Sequence, residues 1–191
     1  MAVPTSRFRL IPNATTELAL DTEAERLAAI ASQSIVSTGV GNEADFGEVD
    51  VSDGADNSNI LTLIWDITAD GGFTNAEQFK IWMSSNGFDQ AGSVCKFQAL
   101  SGADQAGAAT TENYVENAVI GSYTWGTMPE SEPAQNVFPS DEETSMVLST
   151  ASDDVIMWAM YLAIAALETA GTYKGTDAGN ELQFSFKYSY S

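Results

Sequence analysis

The chain has no histidine, a single cysteine and only 7 basic residues in 191. Each shortage excludes a kind of chemistry. Without histidine there is no Ser-His-Asp or Cys-His triad, no His-ligated zinc and no imidazole proton shuttle. Cys95 alone cannot form an internal disulfide, so stability must come from packing. In Val94-Cys95-Lys96-Phe97 it reads as a small buried hydrophobe, with Lys96 the one hint of a reactive thiol. The scarcity of Lys and Arg against 27 acids leaves a net charge of −20. Such a surface repels phosphate backbones and anionic lipid, so neither nucleic acid nor membrane is expected as a partner. The longest apolar run, Val155–Leu167, is too short to cross a bilayer, and Met1-Ala2-Val3-Pro4 opens no apolar signal core. Synthesis in a cytoplasm without secretion is the expectation. There is also no GxSxG, P-loop or CxxC, and among 27 acids a carboxylate pair of glycosidase type arises by chance. No catalytic residue can be named, and the chain reads as a protein that is not an enzyme.

What is present is material for a core. The 44% hydrophobic content, with 4 Trp, 9 Phe and 6 Tyr, suits one domain that buries roughly 70% of its unfolded surface. The C-terminal stretch Glu181–Tyr190 alternates strictly. Leu182, Phe184, Phe186, Tyr188 and Tyr190 share one face; Gln183, Ser185, Lys187 and Ser189 share the other. A period of two with aromatics on one side predicts a half-buried strand. Val155–Ile164 is compatible with helix or strand, and the alternation of Ile156, Trp158, Met160, Leu162 and Ile164 favours strand. It is expected beside the terminal strand in the same sheet. Ile60–Ile67, Gln78–Met83, Val94–Leu100, Ser122–Trp125 and Met146–Leu148 are further strand candidates. Trp82, Trp125 and Tyr114 could stack on sugars, although tryptophan in such strands is more often core.

Residues 1–20 read as an extended arm, broken by Pro4 and Pro12, and residues 21–191 as the domain proper. The arm carries Arg7, Phe8 and Arg9, a local basic patch suited to docking on acidic neighbours. The plainer reading is an edge strand with two solvated arginines. Thr22-x-x-Glu25 forms a capping box, and Leu20, Ala24, Leu27, Ala28 and Ala31 recur at helical spacing, so one short helix is expected near 22–36. Asp45–Asn59 is an acidic loop. Gly126–Glu143, with three prolines and five acids, is expected as a long excursion at one end. Short strands, one helix and no βαβ rhythm predict an all-β protein: a β-sandwich of jelly-roll or immunoglobulin-like type with an extended N-terminal arm.

The sharpest local motif is Asp66-x-Thr68-x-Asp70-Gly71, followed by Glu77. Oxygen side chains at positions one, three, five and twelve with glycine at six match EF-hand spacing, so Asp66, Thr68, Asp70 and Glu77 are candidate calcium ligands. Because a strand, not a helix, enters this loop, a solvated turn between two strands accounts for the same letters.

Leu61–Ser85, Ala99-Leu100-Ser101-Gly102-Ala103-Asp104 and the turn Ala170-Gly171-Thr172-Tyr173 before an aromatic terminal strand resemble virion structural proteins of tailed bacteriophages. The resemblance is one of style over about half the chain and carries no functional residue. It implies a non-enzymatic capsid decoration (cement) protein in the virion, bound to the major capsid protein or other virion subunits and homo-oligomeric. Tail or fibre components share these features. From a different class, a calcium- or carbohydrate-binding module fits the Asp66–Glu77 loop and the aromatics.

Overall fold

The computed structural model describes residues 2–11, 34–36, 44–99, 125–133, 145–147, 156–173 and 181–191. Among them all regular structure is strand and every pairing is antiparallel. The strands are β1 (Thr5–Ile11), β2 (Ser34–Val36), β3 (Asp56–Asn57), β4 (Leu61–Ala69), β5 (Asn75–Asn86), β6 (Val94–Ala99), β7 (Gly126–Thr127), β8 (Ser145–Val147), β9 (Ile156–Ile164) and β10 (Leu182–Tyr190). A seven-stranded sheet runs β2-β1-β4-β9-β6-β7, with β3 also on β9; a three-stranded sheet runs β10-β5-β8.

Side chains of both sheets meet in one core. Trp65 on β4 and Trp158 on β9 are fully buried. Phe79 of β5 lies between them, its ring 5.1 Å from Trp65 and 5.7 Å from Trp158. The alternation Leu63, Trp65, Ile67 on β4 and Trp158, Met160, Leu162, Ile164 on β9 turns one face of each strand inward, as the sequence periodicity requires. β9 is thus a strand, although it lies in the other sheet from β10. The terminal strand pairs with β5 instead.

β5 accommodates β10 by absorbing two extra residues. Gln183 and Phe184 are adjacent, yet their ladder partners are Ser85 and Met83; Lys187 and Ser189 stand opposite Lys80 and Glu77. Both bulges therefore sit on β5, and Gln78 takes a left-handed φ of 54° at one of them. The bulge lets Ala76 and Phe79, three positions apart, both point into the core.

A short segment joins the sheets along one side. Gly126 and Thr127 pair with Phe97 and Lys96 of the larger sheet. Next, the Met128 N–H donates to the Cys95 carbonyl at 2.8 Å, and the Pro129 carbonyl accepts from the Met83 N–H of the smaller sheet at 2.9 Å. The described part of the expected excursion over 126–143 is thus a bridge between sheets, with Met128 buried.

The N-terminal expectations are corrected in two places. β1 lies between β2 and β4, so residues 5–11 are neither a free arm nor an edge strand. Arg9 is buried, and so is not a solvated arginine. The helix expected near 22–36 falls mostly outside the described residues, but its last three, Ser34–Val36, are strand paired with β1.

Candidate functional site

The candidate calcium loop is an arch between sheets. Asp66 and Thr68 belong to β4 and Glu77 to β5, with Asp70, Gly71 and Gly72 at the tip. Asp70 Oδ1 accepts from the Gly72 N–H at 2.8 Å, closing an Asx turn, and both glycines have left-handed φ. Thr68 is occupied by the N-terminal segment: its hydroxyl is 2.9 Å from that of Thr5 and donates to the Thr5 carbonyl at 3.1 Å. The Ala2 N–H donates to the Gly71 carbonyl at 3.0 Å, and a Cβ at Gly71 would overlap the Ala2 carbonyl. Thr68 and Asp70 thus bind backbone and turn, while Asp66 and Glu77 stand on strands of different sheets. Among the described residues no cluster of three or more metal-ligating acids or thiols forms. In the preceding acidic loop, Asp45, Asp50 and Asp56 each accept a backbone N–H one or two residues on. The Ser52 N–H beside Asp50 holds that carboxyl below its usual range.

Arg7, Phe8 and Arg9, the candidate partner-binding patch, lie within the chain's own sheet. Phe8 packs edge-on against Trp158 at 5.8 Å and against Phe186 of β10 at 4.7 Å. Deleting residues 1–14 removes β1 from between β2 and β4, so the expected result is loss of folding.

The most elaborate polar cluster was not legible in the sequence. Glu168 is buried just after β9 and accepts from the Asp89 N–H (2.8 Å), the Gln90 N–H (3.2 Å), the Ser93 hydroxyl (2.5 Å) and the Tyr173 hydroxyl (2.9 Å). Ser93 in turn accepts from the Ala165 N–H at 3.0 Å. Thr169 donates its hydroxyl to Asp89, and this bond lowers the Asp89 carboxyl from its ordinary value. Desolvation, aided by Glu168, pushes the Tyr173 phenol up to about 12. The cluster ties the turn before β6 to the segment after β9. Its carboxylate is saturated by donors from its own chain.

A second feature is the aromatic stripe of β10. Phe186 and Tyr188 stack at 6.4 Å, Tyr188 and Tyr190 are 5.9 Å apart, and Tyr190 meets Phe73 edge-on at 4.5 Å. Phe186 and Tyr190 keep over a third of their surface exposed. Of the sugar-stacking candidates, Trp82 is half-buried, Trp125 packs edge-on against Tyr161 at 4.8 Å, and Tyr114 lies outside the described residues. Cys95 is fully buried, and burial pushes its thiol up to about 12, so it is a packed hydrophobe and not a nucleophile. No helix among the described residues is long and apolar enough to cross a membrane. No family model, curated protein or solved structure matches the chain.

Proposed function

We propose that this chain is a β-sandwich of jelly-roll or immunoglobulin-like type that serves as a non-enzymatic virion subunit, a capsid decoration protein bound across adjacent coat subunits. The observation that carries this reading is the contrast between interior and edge. The buried carboxylate Glu168 is consumed by internal ties, whereas exposed rings line a strand at the border of the smaller sheet. A subunit that works by surface contact has that distribution. The Phe79 ring bridging Trp65 and Trp158 supports the face-to-face arrangement of two sheets. A net charge of −20 suits an outer surface that keeps particles apart.

The test is add-back to particles. Virions stripped of this subunit should rebind the purified protein to saturation and gain heat resistance. If the protein neither sediments with intact particles nor rebinds stripped ones, the virion reading is wrong.

A further inference from the structure

We propose that the outer edge of β10 is a self-association seam, at which two copies of this chain pair their β10 strands antiparallel about a twofold axis. This deepens the structural-subunit reading and rests on it. Among the described residues β10 pairs only with β5, so alternate N–H and C=O groups along its length point away from the sheet. Natural edges are commonly spoiled by bulges, yet here both extra residues are taken up by β5 and β10 carries none. A regular edge of this kind can accept another strand.

The self-complementary register of β10 selects a second copy as the occupant, and charge permits it at this edge. Most of the surface must repel another subunit of charge −20, but residues 182–191 contain Lys187 and no acid. Lys187 is itself matched within the chain, donating to Glu132 at 2.9 Å, a bond that holds the Glu132 carboxyl below its usual range. An antiparallel pair centred on Phe186 is self-complementary. Tyr188 would face Phe184 of the second copy, Tyr190 would face Leu182, Ser189 would face Gln183, and Lys187 would face Ser185. Aromatic meets aromatic or apolar on one side, and no like charges stand directly opposite on the other. The twofold operation would join two three-stranded sheets into one continuous sheet.

Sedimentation velocity of the full chain tests the seam. The expected result is a reversible dimer that tightens as added salt screens the acidic surfaces. Ser185→Lys sets lysine opposite Lys187 of the second copy twice and should weaken dimerisation by about tenfold or more. Ser185→Asp, which sets an acid opposite Lys187 of the second copy, should dimerise at least as well as the parent. A monomeric parent chain, or variants that dimerise indistinguishably from it, would overturn the seam. A monomer that still rebinds stripped particles would defeat the seam and leave the virion reading standing; a β10-dependent dimer that ignores particles would do the reverse.

Discussion

The Ser93 hydroxyl reaches the Glu168 carboxylate at 2.5 Å across 75 residues of sequence. That contact joins the loop before β6 to the turn after β9, two strands that are already neighbours in the sheet. The end of the strand pair is thereby locked by charge-assisted bonds where the ladder stops.

Glu168→Ala should therefore be costly, because it strands two backbone N–H groups and the Ser93 hydroxyl, while the Tyr173 hydroxyl keeps the Thr169 carbonyl at 2.7 Å. Each buried donor left unpaired costs ~1–3 kcal/mol, although hydroxyls can turn towards water. A loss of at least ~2 kcal/mol in urea unfolding is expected. Tyr173→Phe removes a single donor and should lose about 1 kcal/mol. If Glu168→Ala unfolds at the same urea concentration as the parent, the cluster contributes nothing to stability.

The core of the smaller sheet invites a graded comparison. Phe79 is fully buried, so Phe79→Ala should cost ~3–5 kcal/mol. Phe184 is only half-buried against the core and should cost clearly less, while Ser185→Ala on the opposite face should fall within about 0.5 kcal/mol of the parent. A reversed order in equilibrium unfolding would mean that the register of β10 against β5 is wrong.

The elements that were legible in the sequence are those whose pattern is local. The aromatic alternation of 182–190 and the apolar alternation of 156–164 each announce a strand, because side chains of a strand alternate whatever it pairs with. Pairing is not local. Alternation alone sets β9 beside β10, whereas β10 pairs with β5, which bulges twice, and nothing in Gln78–Met83 advertises that. Glu168 was invisible for a different reason: among 27 acids, one carboxylate that turns inward looks like the others. Arginine is seldom buried, so the sequence alone points Arg9 to solvent, but β1 is inserted between two other strands and Arg9 is buried.

Stability should fall in alkali over a defined range. Burial raises the Cys95 thiol from 9.0 to about 12. Between those values the unfolded chain releases this proton while the folded chain retains it, so unfolding gains from rising pH. Cys95 thus contributes stability fully present below about pH 9 and lost as pH climbs through about 12. Tyr173, raised from 10.0 to about 12, acts in the same direction over the upper part of that range. Melting temperatures of Cys95→Ala should fall less steeply than those of the parent from pH 9 upward, and a parallel decline would refute the assignment.

The bulge at Gln78 makes the last prediction, because two demands conflict there. The backbone must adopt φ 54° so that Ala76 and Phe79 both face the core, yet a side chain in the left-handed region costs ~1–2 kcal/mol. Glycine relieves that strain but loses ~0.5–1 kcal/mol through its greater freedom in the unfolded chain. Gln78→Gly should therefore leave stability level or raise it by up to about 1.5 kcal/mol. Valine, branched at Cβ, tolerates the left-handed region poorly, and Gln78→Val should lose about 1–3 kcal/mol. Leu167 supplies a control, since it has φ 72° but is 84% exposed and lies outside any strand. Leu167→Gly should stabilise by a similar small amount and leave the sheets unchanged. If valine at 78 proved as stable as glycine in urea unfolding, β5 would not bulge there, and Ala76 and Phe79 could not share the core face.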